Sequence, residues 1–222
     1  MEYKILNLYA GVGGNRSDWD RVAEQAGITI EVTAVELDPK LARLYQERFP
    51  MDKVIVADAH QYLLDHYQEF SEGFVWSSPP CPSHSKMMKA TRHNVVKYPD
   101  FKLYEEVVLL DNFFKGKYCV ENVIPYYQPL IAGQKVNRHL YWANFKIPKI
   151  NLNAMPNFSK AKREQIANWL GFDYPGRNYY IDGCHDPAKP LRNCVHPKEG
   201  AAILRTALDI KITNSSKQQN LF

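Results

Sequence analysis

The chain has 222 residues, 45% of them hydrophobic, and carries 28 lysines and arginines against 24 aspartates and glutamates, a net charge of +4. That length holds one sizeable α/β domain without disulfide staples. Cys81, Cys119, Cys184 and Cys194 are too few and too irregularly spaced for a secreted framework, and no apolar run resembles a signal peptide or membrane span, so a reducing, cytoplasmic setting is expected.

Apolar runs of strand length alternate with helical patterns in the first half, which predicts strands and crossover helices in a parallel sheet. Tyr3 to Tyr9 reads as a strand, with Gly11, Gly13 and Gly14 in the turn behind it and a helix from Ser17 to Ala26 stopped by Gly27. Ile30 to Glu36 is a second strand, and Asp38 with Pro39 opens a helix that runs to Arg48. Lys53 to Ala57 is a third strand ending at Asp58, followed by a helix from Ala59 to Phe70 and a fourth strand from Gly73 to Ser77. The polar, basic segment after Cys81 has no periodicity and reads as a long loop. A helix over 100–115, a strand over 118–122 and another over 140–145 come next, then a Pro- and Asn-rich stretch over 146–159. A helix from Ser159 to Leu170, an irregular aromatic stretch over 173–192, a helix from Lys198 to Ile210 and a polar tail expected to be disordered complete the chain.

Three strand ends carry groups suited to one adenosine-shaped ligand. The glycines of the first turn let backbone amides approach a ligand at the start of a helix. Glu36, 25 residues beyond Gly11, can take ribose hydroxyls, and Asp58 can accept from an adenine amino group. The bland alternative makes Glu36 and Asp58 solvated helix caps. The fourth strand ends in V-W-S-S-P-P-C-P-S-H-S, where prolines at 79, 80 and 82 stiffen the backbone around Cys81 and point to a nucleophile, against the plainer reading of a small buried residue in a turn.

In order, N-L-Y-A-G-V-G-G, V-E-L-D-P, the PPC stretch, E-N-V, N-R-H-L-Y-W-A-N-F and R-N-C-V-H-P resemble the blocks of the DNA cytosine-5 methyltransferase family, from about Tyr3 to Ala207. The resemblance implies an α/β, doubly wound, mostly parallel Rossmann-like sheet of the S-adenosylmethionine-dependent methyltransferase type. It implies a cofactor-binding and catalytic domain over 1–145, a reduced target-recognition region over 146–192 that includes a returning helix, a completing C-terminal helix over 193–210 and a tail over 211–222. S-adenosyl-L-methionine is the implied cofactor, with Tyr9 against the adenine, Glu36 on the ribose, Asp58 on the adenine, Asn193 beside the methionine end, and Gly11, Gly13, Gly14, Leu37, Ala59, Pro79 and Val195 completing the site. Cys81 is implied as the nucleophile on C6 of a flipped or unpaired cytosine, Glu121 as the acid at N3, and Arg138 as a contact to the base or a phosphate. Ser85, Lys86, Lys89, Arg92 and Arg177 are implied to touch nucleic acid, duplex or single-stranded DNA, with no membrane involved.

Departures from the pattern are as informative. Pro82 and His84 stand where the family has glutamine and phenylalanine, and Asn137 and His139 fall on its two alternating arginines. The small space for a target-recognition domain suggests a phage-like or mobile-element enzyme with a short target, or a partner protein that supplies recognition. A tRNA cytosine-5 methyltransferase of the same fold is the first alternative. An inactive binding module is another, and so is one held by zinc on Cys184, His185, Cys194 and His196, although that spacing fits no standard metal pattern.

Overall fold

The computed structural model describes residues 2–86, 98–155, 157–174 and 186–210 in full, and the backbone alone at 180–181 and 184–185. Its strands are β1 (Glu2–Leu8), β2 (Thr29–Glu36), β3 (Lys53–Val56), β4 (Phe74–Ser77), β5 (Lys117–Val123), β6 (Gln134–Val136), β7 (His139–Ala143), β8 (Tyr180–Ile181) and β9 (Cys184–His185). The helices are α1 (Trp19–Ala26), α2 (Pro39–Arg48), α3 (Ala59–His66), α4 (Lys102–Phe113), α5 (Arg163–Leu170), α6 (Lys189–Arg192) and α7 (Pro197–Ala207).

Seven strands form one sheet in the order β3-β2-β1-β4-β5-β7-β6, and β8 pairs with β9 apart from it. Strands β1 to β5 are parallel, whereas β7 runs antiparallel to β5 and β6 antiparallel to β7. The sheet is therefore mixed, with β6 running the same way as β1 to β5 and β7 alone reversed, so the expectation of a mostly parallel sheet is met in part. The reversal from β6 to β7 is local: Asn137 and Arg138 alone join them, a connection that can only turn back, and Asn137 takes the left-handed conformation such a turn demands (φ 53°).

Alternate residues along each strand serve opposite faces. On β1 and β4, Leu6, Leu8 and Val75 pack with Leu63 of α3 and Leu103, Val107 and Leu110 of α4. Ile5, Phe74 and Trp76 face the other way, against Trp19 and Val22 of α1 and Ile203 and Leu204 of α7. Helices cover both faces, as the near-continuous apolar runs of buried parallel strands require. Strand order reverses between β1 and β4, so the crevice at their C-terminal ends is where a ligand is expected in such a sheet.

Most element boundaries shift by a residue or two from the sequence reading. α1 begins at Trp19 because the Ser17 hydroxyl is engaged elsewhere, donating to the Gly13 carbonyl (3.0 Å) and accepting from Arg48 (2.9 Å). The third helix gives way at Tyr67–Phe70 to a 3-10 turn, and another at Phe158–Lys160 precedes α5. β6, α6 and the β8–β9 hairpin were not legible as elements.

Candidate active site

The glycine turn after β1 is held from beneath. Gly11 and Gly13 have φ of 54° and 73°, and a Cβ on Gly13 would stand 2.3 Å from the Phe49 ring. On Gly14 it would stand 2.6 Å from Cys194 Cβ and from the Val195 carbonyl oxygen, so the R-N-C-V-H-P block lies directly on this turn. Below it, buried Arg16 forks onto Asp52 at 2.9 and 2.8 Å and Tyr45 donates to the same carboxylate at 2.8 Å. Asn15 donates to Asn7 at 2.8 Å, and Arg48 binds the Val12 carbonyl while stacking over Phe172, 3.7 Å from the ring centre.

At the neighbouring strand ends, Glu36 accepts from the Gly11 amide (2.8 Å) and the Asp38 amide (2.9 Å), and burial pushes its carboxyl upward against the pull of those amides. Two amides leave acceptor capacity on the carboxylate. Asp58 caps α3 through the Gln61 amide (3.1 Å), with Lys102 Nζ 3.5 Å away, so the capping reading describes it correctly while its side chain stays half exposed. Leu37 is largely exposed and Ala59 is buried. Asn193 is exposed at the end of α6, and the Val195 side chain is turned into the core, which leaves its backbone facing the turn. Above Gly11 the space is open: nothing lies within 4 Å of a Cβ built there.

Tyr9 takes the left-handed conformation (φ 56°) and donates to Glu106 at 2.6 Å. Glu106, fully buried on α4, also accepts from Ser77 (2.5 Å) and lies 3.1 Å from His60 Nδ1. This hub ties the ends of β1 and β4 to α3 and α4. No local pattern in the sequence marks Glu106, because only the fold brings its partners together.

Cys81 is half buried just past β4, and its carbonyl accepts from the amides of His84 and Ser85, both at 3.0 Å, which curls 81–85 into a helical turn. Asn122 donates to the Pro79 carbonyl at 2.9 Å, locking the PPC loop to the end of β5. Since β4 and β5 are parallel neighbours in register Ser77 to Val120, Cys81 and Glu121 emerge together. Burial pushes Glu121 up to about 7, with Ser78 as a hydrogen-bond partner and Arg138 pulling the other way. Ser78 in turn accepts the Trp76 indole N–H at 2.8 Å. The lysine pairing that would have made Glu121 a structural carboxylate is not formed, since Lys117 lies at the opposite end of β5. Burial and the Glu121 charge raise the Cys81 thiol, and Arg138 lowers it. Arg138 itself is exposed and stacks over Phe158, 3.9 Å from the ring centre.

Of the residues expected to touch nucleic acid, Ser85 pairs with Pro125 and Lys86 is exposed, whereas Lys89, Arg92 and Arg177 lie outside the described residues. His84 is buried, with Nδ1 2.6 Å from the Tyr127 hydroxyl. The zinc alternative loses two of its four ligands: His196 uses both ring nitrogens, on the Lys198 amide and the Trp169 carbonyl (3.1 Å each), and the buried Cys194 thiol donates to Pro190 O at 3.3 Å. Ser78, Glu106 and Glu199 went unrecognised in the sequence. The W-S-S step at the strand end was the available signal for Ser78, and none existed for the two glutamates.

The model of the C-5 cytosine-specific DNA methylase family matches residues 3–123, from β1 to the end of β5. The chain belongs to this family. Its cofactor is accordingly S-adenosyl-L-methionine, and the residues present fit it: an open cradle above Gly11, spare acceptor capacity on Glu36, and the exposed apolar side chain of Leu37 beside them. A search of curated proteins gave no match. Among solved structures, the chain is similar to the methyltransferase EhMeth of Entamoeba histolytica, with a TM-score of 0.58, 12% identity and coverage of 94% of this chain and 98% of that one. It is similar also to a DNMT2 mutant of Spodoptera frugiperda (0.55, 13%, covering 93% and 99%) and to the Dnmt2 methyltransferase of S. pombe (0.53, 12%, covering 93% and 98%). At such identities the likeness is one of fold, and it extends over nearly the whole chain.

Proposed function

We propose that this protein methylates C5 of cytosine in DNA through a covalent bond between Cys81 and C6. The observation that carries the reading is that Cys81 and the buried Glu121 leave the neighbouring ends of β4 and β5 into one crevice, with burial pushing that carboxyl up to about 7. Cytosine resists attack at C6 unless the ring's developing charge is met as it forms. In the reaction, the Cys81 sulfur, its proton given up to solvent, forms a bond to C6 while the C5–C6 π pair shifts to C4–C5 and the C4–N3 π pair takes the Glu121 proton at N3. The bound cofactor supplies an electrophilic methyl group, which C5 takes up. A water molecule then takes the C5 proton, the C5–H pair forms the C5–C6 double bond, the C6–S bond breaks with its pair returning to the Cys81 sulfur, and N3 returns its proton to Glu121.

The two groups are matched in charge. A thiolate beside a carboxylate is disfavoured, whereas a thiolate beside a carboxylic acid carries a single negative charge, so ionisation of Cys81 favours the protonated form of Glu121. Pro82, Pro79 and the Asn122 bond hold the loop so that attack requires no rearrangement of the strand ends. Glu36, Asp58 and the amides of the glycine turn would hold the cofactor, and Lys86 and Arg138 would meet the nucleic-acid backbone or base.

The short stretch between β7 and α5, 144–162, leaves little room for a reader of long sequences, which gives weight to RNA as a second substrate class. Incubation with S-adenosyl-L-methionine and 5-fluorocytosine placed in duplex DNA, single-stranded DNA or tRNA tests both, because fluorine blocks the final elimination. A covalent adduct is expected on DNA, and Cys81→Ala should abolish it with a loss of methyl transfer of at least about 10⁴-fold. An adduct on tRNA alone would reassign the substrate, and none on any of the three, or one that survives Cys81→Ala, would overturn the reading.

A further inference from the structure

His139 sits behind the acid. Its Nε2 is 3.6 Å from Glu121 Oε1, its Nδ1 is 3.7 Å from Glu199 Oε2, and the Tyr141 hydroxyl is 3.4 Å from the same Nδ1. Asn137, at the hairpin turn, donates to the other Glu199 oxygen at 2.8 Å and so fixes that carboxyl. His139, Glu121, Glu199 and Tyr141 are all buried. A ring so enclosed, on a strand adjacent to the acid and braced from α7, is placed to decide which oxygen of Glu121 faces the base.

We propose that His139 is a positioning residue for Glu121: its Nε2–H engages Oε1 as an acceptor, leaving Oε2 to carry the proton toward N3 of the cytosine. The proposal rests on the assignment of Glu121 as the acid.

The charges around the ring select this arrangement. The groups facing it are Glu121 from β5, Arg138 from the turn, Tyr141 from β7 and Glu199 from α7. Burial pushes the imidazole down to about 4, with the Arg138 charge adding to the effect and Glu199 opposing it, so the ring is neutral at working pH. Burial raises Tyr141, so its hydroxyl keeps its proton and can donate to Nδ1, and burial pushes the Glu199 carboxyl upward as well. With Nδ1 an acceptor, the single ring proton is on Nε2, aimed at Glu121. The three contacts are looser than made hydrogen bonds, as is usual for catalytic contacts before substrate arrives. The neutral ring leaves no cation at 139 to pull the Glu121 carboxyl toward its ionised form.

Three substitutions separate orientation, charge and volume. In His139→Arg the Glu121 carboxyl, followed by infrared or carbon NMR titration against Glu121→Gln, should titrate about 1–3 pH units lower than in the wild type. In His139→Leu, which fills the space without an N–H, adduct formation at saturating cofactor should slow by about tenfold or more, while His139→Gln, which restores a donor, should stay within about threefold of wild type. Cofactor affinity should be unchanged in all three. An unmoved Glu121 titration in the arginine variant, equal rates for the leucine and glutamine variants, or parallel losses of cofactor binding would each overturn the proposal. The titration needs no substrate, so it decides the pairing even if the wild-type protein forms no adduct, a result that would instead sink the reaction proposed for Cys81.

Discussion

The two sides of the crevice are built on different terms. Beneath the glycine turn, every charged group named above is paired at hydrogen-bond distance: Arg16 with Asp52 and Asp20, Tyr45 with Asp52, Glu36 with two amides. Around Cys81 and Glu121 some polar contacts are left loose, 3.4 to 3.7 Å at His139, and His84 Nε2 is buried without a hydrogen-bond partner. Buried polar groups are normally satisfied, and those that are not tend to stand where a ligand completes them. The cofactor side is thus finished before anything binds, and the substrate side is finished by what binds to it.

Three measurements press on that contrast. The largest effect is expected from Arg16→Met, which leaves the buried Asp52 carboxylate with the Tyr45 hydroxyl and no cation: urea denaturation should show a loss of about 3–5 kcal/mol. A loss no greater than that of an exposed ion pair would mean that the network under the turn is decorative. Next comes Glu121→Gln, expected to slow methyl transfer by about 10²–10³-fold. The wild-type rate should fall as pH rises through about 7, because the protonated carboxyl is the working form, and this limb should vanish in the glutamine variant. A variant that keeps the limb would assign it to another group.

The smallest effect is a difference in pH dependence. His60, raised by its bond to Glu106, contributes stability that is complete below its ordinary value of 6.5 and is lost as pH rises through its higher folded value. His139, held near 4, contributes the opposite way, with stability present above 6.5 and lost as pH falls, by about 1 kcal/mol between roughly pH 7 and 5.5. Unfolding curves of His60→Gln should therefore flatten on the alkaline side and those of His139→Gln on the acid side. If both variants track the wild type, the two histidines do not differ in the folded state as the structure has them.

What the sequence revealed follows the same division. The parallel strands and the caps at Asp38 and Gly27 were legible because each has a local cause: an apolar run, a side-chain acceptor before Pro39, a residue free to take positive φ. The blocks that carry Glu36, Asp58, Cys81 and Glu121 were legible because each sits at a strand end. The three-residue β6, Gln-Lys-Val, has too little pattern to register, and with it the antiparallel edge was missed. Glu106, Glu199 and the Arg16–Asp52 pair owe their roles to partners 29 to 97 residues away, and no window along the chain holds both members.

The bond from Asn122 to the Pro79 carbonyl has a consequence for how such an enzyme can change. It fastens Cys81 and Glu121, the two groups proposed to react, to adjacent strands of the sheet, so their spacing is inherited from the architecture. Lys86 and the stretch between β7 and α5 leave the sheet beyond that fastening. Target preference is therefore free to drift, by insertion or exchange in those outlying segments, without retuning the chemistry at the strand ends.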